Sequence, residues 1–112
     1  MGVLLNNPTG LEHDAREFTR WVILRMLYAC RPGAASEKLI LRVLQSLELN
    51  CELADVREAI DYMQFIGLAA TEKNRLAAGR ARLTPLGAAV VEYSTHAPLG
   101  IARPRRWHKS KR

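Results

Sequence analysis

Acidic side chains almost vanish from this chain after residue 72. Residues 73–112 carry ten Lys/Arg against a single acid, Glu92, a balance of +9; residues 1–72 carry seven Lys/Arg against ten Asp/Glu, a balance of −3. A basic segment beside a mildly acidic one points to a polyanionic partner, nucleic acid first, with simple solubilisation as the alternative. Aromatic residues are scarce at 6%, so a core has to be built mainly from aliphatic side chains. The two cysteines, Cys30 and Cys51, form no CxxC pattern, and His13, His96 and His108 are scattered. Neither set has metal-ligand spacing, so no metal or other cofactor is expected. Reduced, partly buried thiols in a cytoplasmic protein are the expectation. Apolar runs of membrane-spanning length are missing, so no membrane partner is expected. The opening "MGVLLNNPTG" lacks the basic n-region and long apolar stretch of a signal peptide, and Asn6 departs from the myristoylation pattern that Gly2 suggests.

What is present fits one domain of 112 residues. "TGLE" has the form of a capping box, with Thr9 capping and Glu12 reaching back. The run "LEHDAREFTRWVILRMLYA" then predicts a first helix whose apolar face holds Phe18, Trp21, Val22, Leu24, Met26 and Tyr28. Pro32 and Gly33 break it. A second helix is expected from Ser36, its cap, to Leu49, with Leu39, Ile40, Val43, Leu44 and Leu47 at helical spacing. After a short break at "LNCE", a third helix is expected from Leu53 to Ile66. Leu53, Val56, Ile60 and Met63 lie on one stripe beside Ala59, and Gly67 acts as a left-handed stop. The opposite face carries Ala54, Glu58, Asp61 and Phe65.

The stretch "TEKNRLAAGRARLTPLG" follows. It reads as an extended piece, a loop at "NRLAAG" and a second extended piece, "RARLT". There Ala81 and Leu83 alternate with Arg80 and Arg82, which places the small and apolar side chains on one face and both arginines on the other. "TPLGAAVVEY" predicts a short fourth helix capped by Thr84 with Pro85 at its first position. Its Ala88, Ala89 and Val90 are available for core packing or for a homodimer contact. Residues 9–94 are thus expected as the folded domain, and residues 95–112 as a basic, extended tail.

Helix, helix, break, helix, basic hairpin, helix is the order of a winged helix-turn-helix, mainly α with a small β-hairpin. The segment "VREAIDYMQFIGLAATEKNRLAAGRARLTPLG" resembles that superfamily through Val56, Ile60, Met63, Gly67, Leu68 and the "LTPLG" that opens the closing helix. Over about residues 18–104 the chain also resembles small winged-helix proteins of Mu-like phages and prophages. The resemblance implies a DNA-binding protein in a bacterial host cytoplasm, a transcription regulator or DNA-transaction accessory, with double-stranded DNA as partner.

In such domains the third helix enters the major groove and the wing touches phosphate or the minor groove. Lys73, Arg75, Arg80 and Arg82 are the wing candidates, each able to release counterion on meeting a phosphate. The third helix suits the role less well. Glu52, Asp55, Glu58 and Asp61 face repulsion from phosphate, which leaves Asn50, Arg57 and Gln64 as readers of base edges. For Arg57, an ion pair with Asp61 four residues on is the competing expectation. The tail offers Arg103, Arg105, Arg106, Lys109, Lys111 and Arg112, with Trp107 placed to stack on a base or to fold back onto the domain. The alternative reading is a protein-interaction module in which Glu58, Asp61 and an exposed Phe65 engage a host or phage protein; packing of Phe65 on the hairpin is the competing expectation. No enzyme is expected. Ser36, Ser46, Ser94 and Ser110 sit in no nucleophile-elbow context, and His96 near Glu92 reads as a local helix-end pair.

Overall fold

The computed structural model describes residues 10–74 and 77–106, with the side chains of residues 11, 12, 73, 74, 77 and 78 outside that description. Thr9 and the capping box it was expected to form also lie outside the described residues.

Helix α1 spans Gly10–Cys30. Trp21, Ile23, Leu24 and Leu27 are buried along it, while Phe18, expected on the apolar face, is 43% exposed. A turn closed by the Gly33 N–H donating to the Cys30 carbonyl (2.8 Å) leads to a two-residue strand, β1 (Ala35–Ser36). Helix α2 (Glu37–Ser46) starts at the expected cap, with Ser36 Oγ accepting from the Leu39 N–H. It stops three residues before the expected Leu49, because Glu48 adopts φ 64° and the Leu49 N–H turns back to the Leu44 carbonyl. Ile40 and Leu44 are fully buried, whereas Leu39 and Leu47 are about half exposed.

Helix α3 (Leu53–Phe65) buries Val56, Ala59, Ile60 and Met63, the stripe that the spacing predicts save Leu53. Its first turn is tied by the Glu52 N–H donating to Asp55 Oδ2 (2.8 Å). Gly67, at φ +85°, takes the left-handed conformation that ends the helix and lets the chain reverse into the sheet. Strands β2 (Ala69–Asn74) and β3 (Ala77–Leu83) form the wing. They run further toward the tip than the six-residue loop expected from sequence, with an irregularity in register between Glu72 and Asn74. Helix α4 (Pro85–Val91) is capped as expected: Thr84 Oγ1 accepts from the Gly87 N–H at 3.0 Å and donates to the Gly67 carbonyl at 2.6 Å.

Among the described residues the sheet has three strands, not two, in the order β1-β3-β2, all antiparallel. Ala35 pairs with Ala81 and Ser36 with Arg80. A two-residue strand is too short to carry a period-2 signal, which is why the sequence shows only the hairpin. The nine most deeply buried large side chains are Ile23, Leu24, Leu27, Ile40, Leu44, Val56, Met63, Leu68 and Val90, all aliphatic or Met. Each fully buried Leu or Ile of this kind contributes about 1.5–3 kcal/mol relative to exposure. Four helices with a small antiparallel sheet in this order make a winged-helix-like arrangement.

The segment after Ser94 departs from the expected extended tail. Residues 95–106 form a strap across the body. Ile101 is 6% exposed and packs at the edge of the core, and the Ala102 N–H donates to the Glu17 carbonyl on α1 (3.1 Å). Arg20 Nη1 donates to the Gly100 carbonyl (3.0 Å), Tyr62 Oη to that of Leu99 (2.6 Å) and Tyr93 Oη to that of Pro104 (2.6 Å). Body side chains thus satisfy the strap's carbonyls without secondary structure.

Candidate nucleic-acid interface

Alternation on β3 does what the sequence predicts. Ala81 and Leu83 are buried, Arg82 is exposed and Arg80 half-buried. The register sets Glu72 of β2 directly across from Arg80 and diagonally from Arg82. Arg82 Nε lies 2.9 Å from Glu72 Oε2, with both side chains nearly half exposed. Arg80 Nη2 donates to the Ala34 carbonyl at 3.0 Å, tying β3 to the segment before β1. Lys73 lies on β2, but its side chain is outside the described residues, as is all of Arg75.

Three of the expected DNA contacts converge. Arg57, Gln64 and Arg80 line one cleft between α3 and the sheet, together with Glu37, Asp61 and Thr71. Arg57 does not pair with Asp61 on its own helix; its Nε donates to Glu37 Oε1 at 3.0 Å, joining α3 to the start of α2. Glu37 is the less exposed partner, so the pair orients Arg57 more than it neutralises the surface. Asn50 goes elsewhere. It lines a separate cleft between α1 and the α2–α3 turn, with Arg16, Arg20, Asp55 and Glu58. In that cleft burial, reinforced by Asp55, raises the Cys51 thiol above its ordinary range, although a Thr19 hydrogen bond opposes it. Cys51 is therefore less of a nucleophile than a free thiol.

Glu58, Asp61 and Phe65 follow one another at i, i+3 and i+7 along the ridge of α3, all exposed, and Phe65 is 86% exposed. It is not packed on the hairpin. Of the tail candidates, Arg103 is turned inward: its Nη1 donates to the carbonyls of Val90 and Thr95, both at 2.8 Å, and its guanidinium sits 4.2 Å from the centre of the Tyr93 ring. Arg105 and Arg106 are exposed. Trp107, Lys109, Lys111 and Arg112 lie outside the described residues.

A basic residue that the sequence reading passed over also belongs on this surface. Arg31, in the "CRPG" breaker, lines an open cleft of about 650 Å³ with Arg82. Its guanidinium stacks 3.8 Å from the centre of the Tyr28 ring and approaches Glu92 Oε2 at 4.0 Å. The expected His96–Glu92 pair is replaced by a bond from Tyr28 Oη to Glu92 Oε2 at 2.7 Å, which is the main reason the Tyr28 phenol is raised above its ordinary value. No local motif marks Arg31, because its neighbour Arg82 is distant in sequence.

Among the described residues no helix is long and apolar enough to cross a membrane, and no three His, Cys, Asp or Glu side chains are grouped to hold a metal ion. Comparison of the chain with protein-family models, with curated proteins and with solved structures finds no match to any of them.

Proposed function

We propose that this chain binds double-stranded DNA, gripping the phosphate backbone with its wing while α3 lies beside the duplex instead of deep in the major groove. The observation that carries the reading is the arginine-bearing outer face of β3, set within a stretch, residues 73–112, that has a balance of +9. The Arg82–Glu72 pair does not oppose it. Exposed pairs of this kind contribute only about 0–1 kcal/mol, so a phosphate can take the place of the carboxylate. Arg57 and Gln64, which share a cleft with Arg80, are the remaining base readers; Asn50 belongs to another cleft and drops to the periphery. Arg105 and Arg106 extend the basic surface, and the basic residues beyond them act in the same sense.

In its finer form the reading is of a cytoplasmic regulator or DNA-transaction accessory of a Mu-like phage or prophage. The texture of the whole run "RPGAASEKLILRVLQ…DVREAIDYMQFIGLA…ARLTPLG…VEYS…PLGIARP" supports that placement. It is a binding protein and not an enzyme on this reading, with no cofactor.

The test is a titration of labelled duplex DNA at two salt concentrations with wild type and an Arg80→Ala/Arg82→Ala double variant. Binding should weaken steeply as salt rises and fall further in the variant, with circular dichroism confirming that the variant folds. A second reading is favoured by one specific observation, the 86% exposure of Phe65 on an acidic ridge. If wild type retains no duplex even at low salt, α3 becomes the working surface and the partner a protein with a basic face and a pocket for the phenyl ring.

A further inference from the structure

We infer that Arg31 and Arg82 form a phosphate-binding cleft that carries the DNA backbone from the wing onto the body of the domain; this rests on the DNA-binding reading above. The cleft is bounded by Arg31, Pro32 and Gly33 from the α1–β1 turn, by Arg82 and Leu83 from the end of β3, and by Thr84, Pro85 and Ala88 from the start of α4. Its two charged lining residues are both arginines, and no carboxylate lines it. Pro32, Leu83, Pro85 and Ala88 supply the apolar part of its lining.

The carboxylates that hold the two guanidinium groups stand outside that lining. Glu72 lies 2.9 Å from Arg82 and Glu92 lies 4.0 Å from Arg31, with every side chain of the two pairs between 41% and 48% exposed. Neither pair is buried deeply enough to resist exchange. A phosphodiester offers two oxygens to the planar guanidinium fork, which an exposed carboxylate at 4.0 Å does not match. Arg31 is also held in place before any ligand arrives. Its face rests on Tyr28 at 3.8 Å, and its Nε donates to the Tyr28 carbonyl at 3.3 Å. Held by the ring and by that bond, the guanidinium has little side-chain entropy left to lose on binding.

The experiment measures duplex DNA affinity across a salt series for full-length wild type, Arg31→Ala, Arg31→Lys, Glu92→Gln and, as a control away from the cleft, Arg42→Ala. Arg31→Ala should lower the steepness of log K against log salt by about 0.9, the share of one phosphate contact. Arg31→Lys should keep the slope but lose affinity, since an ammonium neither stacks nor forks. Glu92→Gln should bind more tightly than wild type, and that gain should shrink in the Arg31→Ala background, because what it removes is the carboxylate competing for that guanidinium. Arg42→Ala should track wild type. A melting curve for each variant guards against misfolding. Wild-type binding with an Arg31→Ala slope and affinity equal to wild type overturns the cleft and leaves the wing reading standing. No wild-type binding at any salt overturns the DNA reading and the cleft together. Calorimetry with inorganic phosphate alone adds one more outcome: phosphate uptake lost in Arg31→Ala, with an unchanged DNA slope, makes this a free-anion site and overturns the proposal.

Discussion

The ridge of α3 and the outer face of the sheet are the two surfaces a winged-helix-like domain offers to a large partner, and here they carry opposite charge. The ridge presents Glu58, Asp61 and Phe65. The sheet presents Arg80 and Arg82 with one acid, Glu72, between the strands. The helix that would read bases is anionic, and the ribbon that would only brace it is cationic. A helix of this charge held against phosphate costs energy at every carboxylate, whereas a ribbon with exchangeable partners gains it. On the proposed reading, the placement of charge, and not the recognition position in the fold, decides what is recognised.

That contrast can be broken at its joint. Leu68, fully buried, links the end of α3 to the base of the wing, and its carbonyl accepts from the Thr84 N–H. Leu68→Ala should cost about 2–5 kcal/mol in chemical denaturation and loosen both surfaces at once. Gly87→Ala tests the same joint from the other side: its new methyl would run into the Leu68 carbonyl and the Leu83 side chain, at a cost of about 1–3 kcal/mol. If either variant is as stable as wild type, helix and wing are not held by this contact. Next in size, Glu58→Gln/Asp61→Asn should raise DNA affinity severalfold by removing repulsion without touching the wing. A fall in affinity would mean that these carboxylates meet bases directly, and the division of labour between the surfaces would be wrong. Glu37→Gln should cost less than about 1 kcal/mol of stability, because its partner Arg57 is exposed. The smallest effect concerns Tyr28. Its phenol is raised, chiefly by donating to Glu92, so what that bond contributes is present below the ordinary tyrosine value of 10.0 and is lost as pH climbs through the folded value. An ultraviolet titration should show a late-ionising phenol that Tyr28→Phe removes.

Much of this was legible in the chain, and the reason is range. The helices, their Ser36, Thr84 and Gly67 punctuation and the Arg80/Arg82 alternation are encoded within a few residues, where periodicity and capping operate. Apart from the early stop of α2 at Glu48, the failures are long-range. Arg57 finds Glu37 instead of Asp61, because a neighbouring helix end came closer than its own next turn. Arg31 meets Arg82 only after β1 has docked on β3. Phe18 and Leu39 fall at apolar spacings, yet each is left nearly half exposed, so the helical faces read from sequence were wider than the packed ones. The strap has no period at all: Ile101 anchors it, and side chains 80, 37 and 11 positions earlier, those of Arg20, Tyr62 and Tyr93, hold its backbone.

That strap has a consequence for how the molecule is made. Helix α1 is synthesised well before the strap, so its Glu17 carbonyl and Arg20 side chain wait for partners at Ala102 and Gly100. A nascent chain emerging from the ribosome can form its local helices early, but the closing clasp must await residues translated 80 positions after Arg20. Until then α1 is left with one flank bare, and a ribosome stalled shortly before Ile101 would display a domain more open to proteases than the finished protein.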